Sequence, residues 1–142
     1  MNTKNKLYLL MILIGLLAAS CSALNPAGAK ELNGTEWQLL YIRKSTPIAG
    51  RPITISFEDG QVNGSSGCNS YFGEYSVKAN EISFGPLAST EMACMDPEGI
   101  MDQEYEYLTF LSEVVTYSIE GDQLILKKKG QDQLTFQKSM NE

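Results

Sequence analysis

The side chains with the most reactive chemistry are the three cysteines, Cys21, Cys68 and Cys94. A cysteine attacks as its thiolate, and the usual group that removes its proton is a histidine. The chain has no histidine, so a Cys–His catalytic pair is excluded. Two cysteines in the folded region also cannot supply the four N or S ligands of a structural zinc site. The sequence therefore predicts no catalytic residue, no metal and no cofactor.

A glycine- and serine-rich stretch, Gly64–Gly67, comes directly before Cys68. It lacks the spacing of a nucleophile elbow, and no lysine follows it as a phosphate-binding loop requires. Its glycines, together with Asn69, predict a sharp turn. The chain carries 11 Lys+Arg against 17 Asp+Glu, a net charge of −6. An acidic chain does not neutralise phosphates, so a nucleic-acid partner is excluded.

The N-terminus has the pattern of an export signal. Two lysines and the apolar run Leu7–Leu17 precede the small residues Ala18–Ser20, and Cys21 follows at once. The run is too short to span a bilayer as a settled helix. The end of this segment resembles a bacterial lipobox, although Ala18 stands where leucine is usual. We predict a signal peptide over residues 1–20, a lipidated Cys21 and a tether over 21–31. The alternative is an ordinary signal peptide with an unrelated cysteine.

This reading predicts a protein anchored in the cell envelope. The membrane is its first predicted partner, through the N-terminal lipid, and an envelope protein or an apolar ligand is the second. Ser22 differs from the aspartate that retains some lipoproteins in the inner membrane, so the periplasmic side of the outer membrane is favoured.

If Cys21 carries the lipid, Cys68 and Cys94 are the two cysteines left to pair. Export places them where disulfides persist, and the sequence therefore predicts a Cys68–Cys94 disulfide. The alternative is two reduced cysteines that pack as small apolar side chains.

The elements around these cysteines follow from short-range patterns. Alternating apolar and polar residues, separated by turns such as Asp59-Gly60, predict a series of short strands. They lie at 37–42, 53–57, 61–63, 71–77, 81–84, 116–119, 123–127 and 133–137, with a short strand or extended link at 87–93. Trp37 is expected in the core, with ligand stacking as the alternative.

One helix is expected after Cys94. Asp96 is predicted as its N-cap and Pro97 as part of its first turn. Asp102, Glu104 and Glu106 are expected on a solvated acidic flank. Apolar residues at three- and four-residue steps predict the face that packs on the sheet. They are Met101, Tyr105, Leu108, Leu111 and Val115. The predicted class is α+β: a strongly curved antiparallel sheet of seven to eight strands, forming a partly open barrel, with this helix packed on it.

Three stretches together resemble the META domain (HslJ-like) family. They are Leu32-Asn33-Gly34-Thr35-Glu36-Trp37, Gly67-Cys68-Asn69 and Thr90-Glu91-Met92-Ala93-Cys94. The resemblance covers residues 32–138. It implies a small barrel-like α+β domain, commonly secreted or membrane-anchored, without agreed catalytic residues and associated with stress at the envelope. It also implies a fold similar to lipid-binding pilot proteins of secretion systems.

These observations favour a non-enzymatic envelope lipoprotein, acting as a binding or structural module in envelope integrity or stress tolerance. One alternative is a carrier or pilotin-like chaperone that holds lipid or apolar peptide inside the barrel. A protease inhibitor or an enzyme is a further alternative. A carrier predicts an apolar cavity, whereas a structural module predicts a filled core. No binding residues follow from the sequence.

Overall fold

The structure is a computed structural model that describes residues 31–130 and 132–139. Within these ranges the chain forms nine strands and the helix α1, Ile100–Ser112. The strands are β1 (Thr35–Ile42), β2 (Thr54–Glu58), β3 (Gln61–Ser65), β4 (Ser70–Lys78), β5 (Glu81–Phe84), β6 (Ala88–Ser89), β7 (Val114–Glu120), β8 (Gln123–Lys128) and β9 (Gln133–Lys138). The predicted signal peptide, Cys21 and nearly all of the tether lie outside the described residues. No helix within them is long and apolar enough to cross a membrane.

The strands form a closed antiparallel barrel. Their order is β3-β2-β1-β9-β8-β7-β5-β4, and pairing of β3 with β4 closes the ring. The short strand β6 pairs with β4 on the same edge as β5. The predicted α+β class, with a strongly curved antiparallel sheet and a helix on it, is confirmed. Closure removes the free edges of the eight-stranded ring that a partly open barrel would retain, and β6 pairs only with β4.

Large side chains fill the barrel interior. Trp37 is only 1% exposed, so it is the core anchor that the sequence predicts and offers no open face for ligand stacking. The largest of the fully buried side chains are Trp37, Tyr71, Tyr107, Phe57, Phe110 and Phe136. Because these side chains come from β1, β2, β4, β9 and α1, the helix and the barrel share one core.

The helix begins later than predicted. Its N-cap is Gly99, which has a φ of +83° and makes no side-chain capping bond. Asp96 is therefore not the N-cap, and Pro97 is not in the first helical turn. The N–H of Ile100 bonds to the carbonyl of Pro97 at 3.2 Å, so the chain makes a turn between them before helical bonding starts.

The buried face of the helix matches the predicted one only in part. Its buried residues are Ile100, Glu104, Tyr107, Phe110 and Leu111. Of the predicted face, Leu111 is buried and Leu108 partly buried. Met101 and Tyr105 are exposed, and Val115 lies in β7, beyond the helix. Consecutive helical residues lie about 100° apart, so the stripe that starts at Ile100 and the stripe that starts at Met101 are neighbours on the cylinder. Both have apolar residues at helical spacing, and only the tertiary contacts choose between them.

One of those contacts is a buried pair of tyrosines. The hydroxyls of Tyr71 and Tyr107 lie 2.7 Å apart, and the Tyr71 hydroxyl donates to the carbonyl of Thr54 at 2.9 Å. Since that bond uses the Tyr71 proton, Tyr107 is the donor between the two hydroxyls. Burial raises the pKa of both phenols. Both therefore stay neutral and keep the protons that these bonds need.

Gly64 makes room for this arrangement, and alanine at this position is expected to destabilise the fold. A Cβ on residue 64 would lie 2.0 Å from the carbonyl oxygen of Thr54 and 3.0 Å from the Tyr71 hydroxyl. Relieving such a clash costs about 1–3 kcal/mol. We expect Gly64→Ala to lower the free energy of unfolding by this amount, which a lower midpoint of urea denaturation would show. Gly85→Ala is the matched control, because its Cβ would meet nothing closer than 3.7 Å. Equal midpoints for the two variants would contradict the prediction.

Candidate functional site

The turn between β3 and β4 contains Gly67, Cys68 and Asn69, for which the sequence predicts a sharp turn. The N–H of Ser66 bonds to the carbonyl of Asn69 at 2.8 Å and closes the turn. Gly67 adopts a φ of +108°, a conformation that other residues rarely take. Ser66, Cys68 and Asn69 are buried. The predicted sharp turn is therefore present, and it directs its polar groups inward.

Glu104 of α1 receives those polar groups. One carboxylate oxygen accepts bonds from the Ser66 hydroxyl at 2.6 Å and from the Asn69 backbone N–H at 2.7 Å. The other oxygen accepts from the Asn69 side-chain amide at 2.7 Å. Glu104 is only 6% exposed, so the prediction that it lies on a solvated flank is wrong. These hydrogen bonds offset the cost of removing the carboxylate from water, because a buried charge needs hydrogen-bond partners.

The hydrogen bonds also decide the charge of Glu104. Burial by itself would raise the pKa of this carboxyl group, but the bonds from Ser66 and Asn69 favour the carboxylate. The net effect is a pKa below the ordinary value of 4.5. Glu104 is therefore a carboxylate at neutral pH.

The side chain of Asn69 connects the turn to a third segment. Its oxygen accepts from the N–H of Met92 at 2.7 Å and from the Thr90 hydroxyl at 2.8 Å. Its amide nitrogen donates to the carbonyl of Met92 at 3.0 Å. The Asn69 side chain thus bonds to Met92 as a neighbouring strand would. This holds the chain that follows β6 against the turn.

The disulfide fixes the same two segments covalently. Cys68 and Cys94 are bonded, with their Cα atoms 6.0 Å apart, which is within the usual range. The predicted disulfide is confirmed, and the alternative of two reduced cysteines is not. We refer to Ser66, Cys68, Asn69, Cys94 and Glu104 as the Glu104 cluster.

The hydrogen bonds and the disulfide of the Glu104 cluster join the turn, α1 and the segment that follows β6. The Ser66 hydroxyl is fully buried, and both oxygens of Glu104 already accept hydrogen bonds. Ser66 offers no exposed hydroxyl to a substrate, and Glu104, although it lines a surface groove, has both carboxylate oxygens occupied by donors of the turn. Over residues 31–130 and 132–139, no group of three or more His, Cys, Asp or Glu side chains is arranged to hold a metal ion.

Two of the grooves on the surface lie beside strands with incomplete pairing. One, of about 430 Å³, runs between α1 and the β6 region, and its lining includes Leu87, Ser89, Met101, Glu104, Tyr105 and Leu108. The other, of about 500 Å³, lies where β5 meets β7. There the two strands share the single pair Glu81–Thr116, beside a bulge in β7.

Comparison with known proteins identifies the family. A protein-family model described as the META domain matches residues 30–141. The chain belongs to the META domain family. None of the curated proteins matches it.

Several solved structures have a similar fold. One is the NMR structure of a protein from Burkholderia xenovorans, 32% identical, with a TM-score of 0.65, covering 87% of this chain and 94% of that one. Another NMR structure is 23% identical, with a TM-score of 0.63, covering 77% and 92% of the two chains. A crystal structure of a DUF4847 family protein from Bacteroides vulgatus is 12% identical, with a TM-score of 0.60, covering 82% and 100%. The last two show the fold alone.

Two of the stretches that resemble the family meet at the Glu104 cluster. Gly67-Cys68-Asn69 forms the turn, and the segment from Thr90 to Cys94 packs on it. Glu104 is the member that sequence reasoning missed. A signal was present, because Glu104 lies on the stripe formed by Ile100, Tyr107 and Leu111. An acidic residue in the middle of an apolar stripe indicates a buried carboxylate with donors elsewhere in the chain.

Proposed function

We propose that this chain is a non-enzymatic lipoprotein of the cell envelope, whose META domain is a rigid binding or structural module. The observation that carries the proposal is the filled, closed barrel. Side chains from the strands and α1 occupy the interior, so the domain interacts through its outer surface. A carrier that holds lipid or peptide inside the barrel would need an apolar cavity there, and the packing of Trp37, Tyr107 and Phe136 does not favour one.

Two observations support the non-enzymatic part of the proposal. The META domain is not a known enzyme family. The Glu104 cluster, which holds most of the buried polar residues of the described chain, has its carboxylate and hydroxyl engaged in hydrogen bonds to one another and to Asn69. Nothing in this arrangement favours the alternative of a protease inhibitor.

The disulfide supports a location outside the cytoplasm, because disulfides persist in oxidising compartments and are rare in the cytosol. With Cys68 and Cys94 joined, Cys21 is the one cysteine left for another role. A lipid on Cys21 would attach the domain to the envelope, with the outer membrane favoured by Ser22. Two or more acyl chains would be needed for stable attachment. The role we assign there is support of envelope integrity or stress tolerance.

Substitution of Cys21 tests the anchor. Cys21→Ser is expected to abolish incorporation of an alkyne-labelled fatty acid and to leave an unprocessed precursor or a soluble periplasmic protein. Labelling followed by membrane fractionation measures both effects. Ser22→Ala is the matched control and is expected to label like the wild type. Equal labelling of Cys21→Ser would overturn the anchor.

The envelope role is tested separately in cells that lack the gene. We expect these cells to tolerate heat or detergent less well than their parent. Wild-type protein should restore tolerance, and Cys21→Ser protein should restore it less. Unchanged tolerance in the deletion strain would contradict the envelope role without bearing on the anchor.

A further inference from the structure

The helix α1 has a second apolar stripe that the barrel leaves uncovered. Met101, Tyr105 and Leu108 follow one another at steps of four and three residues, and so lie on one side of the helix. Met101 is 38% exposed and Tyr105 is 75% exposed, while Leu108 is partly buried. Together with Leu87, they line the groove of about 430 Å³ beside β6.

The wall opposite the helix is the free edge of a strand. The N–H of Thr90 bonds to the carbonyl of Ser70 on β4 at 3.0 Å. In an antiparallel pair the residues that bond to the partner strand alternate along the chain. Since Thr90 bonds to β4, the N–H and C=O of Ser89 point away from it. Ser89 lines the groove, so these two backbone groups are positioned to pair with an added strand.

The segment that supplies the lining of this groove carries charge of one sign. From Leu87 to Glu113, the segment that supplies the lining residues, the chain contains no lysine or arginine. It contains Glu91, Asp96, Glu98, Asp102, Glu104, Glu106 and Glu113. Glu106 and Glu113 pair with Arg43 and Lys128, and Glu104 is buried. Glu104 still lines the groove itself, and Glu91, Asp96, Glu98 and Asp102 are exposed on the segment that supplies the lining, so the acidic surrounding of the groove comes from this segment.

We propose that this groove binds an extended, basic segment of a partner protein, which adds a strand to β6 and places its apolar side chains against Met101, Tyr105 and Leu108. Addition of a strand to a free edge uses backbone bonds for affinity and every second side chain for specificity. Lysine or arginine at the alternate positions complements the acidic surrounding. Anionic lipid is disfavoured by the same charges. The proposal deepens the proposed function by giving the binding module a site and a class of partner.

A labelled peptide tests the proposal directly. The probe is a short peptide in which lysine alternates with valine, titrated into the processed protein purified from cells and followed by fluorescence anisotropy. We expect saturable binding, and slower hydrogen–deuterium exchange over residues 87–91 in the complex, because the Ser89 amide gains a partner. Matched peptides in which glutamate replaces lysine, or serine replaces valine, are expected not to bind.

Two pairs of variants locate the peptide. Tyr105→Ala and Asp102→Lys are each expected to weaken binding about tenfold or more. Tyr41→Ala and Glu36→Lys, which change an exposed tyrosine and an exposed glutamate on β1, are expected to bind like the wild type. All four positions are exposed, so folding should be preserved, and the urea midpoint checks it.

Several outcomes would overturn the proposal. They are absence of saturable binding, equal binding of the glutamate peptide, and unchanged binding by Tyr105→Ala. Displacement of the peptide by oleate would assign the groove to lipid. Self-association that Tyr105→Ala removes would assign it to a second copy of the chain. None of these results depends on Cys21. The groove proposal can therefore hold if the lipid anchor is disproved, and the lipid anchor can hold if the groove binds no peptide.

Discussion

Replacing Glu104 with glutamine is expected to lower the free energy of unfolding by about 2–5 kcal/mol, because each buried donor left without its charged acceptor costs about 1–3 kcal/mol. The Ser66 hydroxyl and the Asn69 backbone N–H share one carboxylate oxygen, and the Asn69 amide uses the other. A glutamine amide replaces one acceptor oxygen with an NH₂ group, so a donor then faces a donor. Domains of this size are stable by only about 5–15 kcal/mol. Urea denaturation measures the loss.

Glu106→Gln is the matched control on the same helix. Glu106 is exposed and pairs with Arg43, and an exposed ion pair contributes at most about 1 kcal/mol. We therefore expect a small change there. If the Glu104 variant fails to fold, Ser66→Ala removes a single bond and gives a smaller, measurable loss. Equal effects of the two glutamate substitutions would show that Glu104 is not the anchor of the turn.

The pH dependence of stability gives an independent check on Glu104. Its pKa is lowered in the folded state, so the unfolded chain binds this proton more readily. The stabilisation from Glu104 is therefore present above its ordinary pKa of 4.5 and is lost as the pH falls through the lower folded-state value. The stability difference between wild type and Glu104→Gln is expected to shrink over that range. A difference that stays constant with pH would contradict this account.

Loss of the disulfide is the second large effect that we expect. The bond closes a loop of 94 − 68 + 1 = 27 residues, which corresponds to about 3.5 kcal/mol in the chain-entropy model. The Cys68→Ala/Cys94→Ala variant should lose about this much stability in urea. Wild-type protein in reductant should lose a similar amount. The bond constrains the unfolded chain, and it also keeps the turn beside the segment that contains Met92.

Titration of thiols is the control for this prediction. Unfolded without reductant, the wild type should expose no reactive thiol from Cys68 or Cys94. Two reactive thiols would favour the reduced pair that the sequence also allowed. The Glu104→Gln and cysteine substitutions act on the same turn, so their effects are expected to be non-additive. Strict additivity would mean that the disulfide and the carboxylate hold the turn independently.

Much of this fold could be predicted from short-range patterns. Alternation in segments such as Thr54–Glu58 indicates strands, because side chains in a strand point to opposite faces. Asp59-Gly60 fixes the tight connection to β3. The Cys68–Cys94 pair followed from elimination once Cys21 was assigned to the lipid. Each of these inferences needs only neighbouring residues or a count of one residue type.

The closure of the barrel, the buried face of α1 and the place of Glu104 were decided by the tertiary structure. Two apolar stripes run along the helix, and the sequence pattern favoured the one that contains Tyr105. The structure buries the other stripe, because Tyr107 forms a hydrogen bond with the hydroxyl of Tyr71 and Glu104 accepts hydrogen bonds from Ser66 and Asn69. Those donors lie 38 and 35 residues away from Glu104 in the chain. A buried carboxylate is stable only where such partners converge, and local periodicity holds no information about groups so distant.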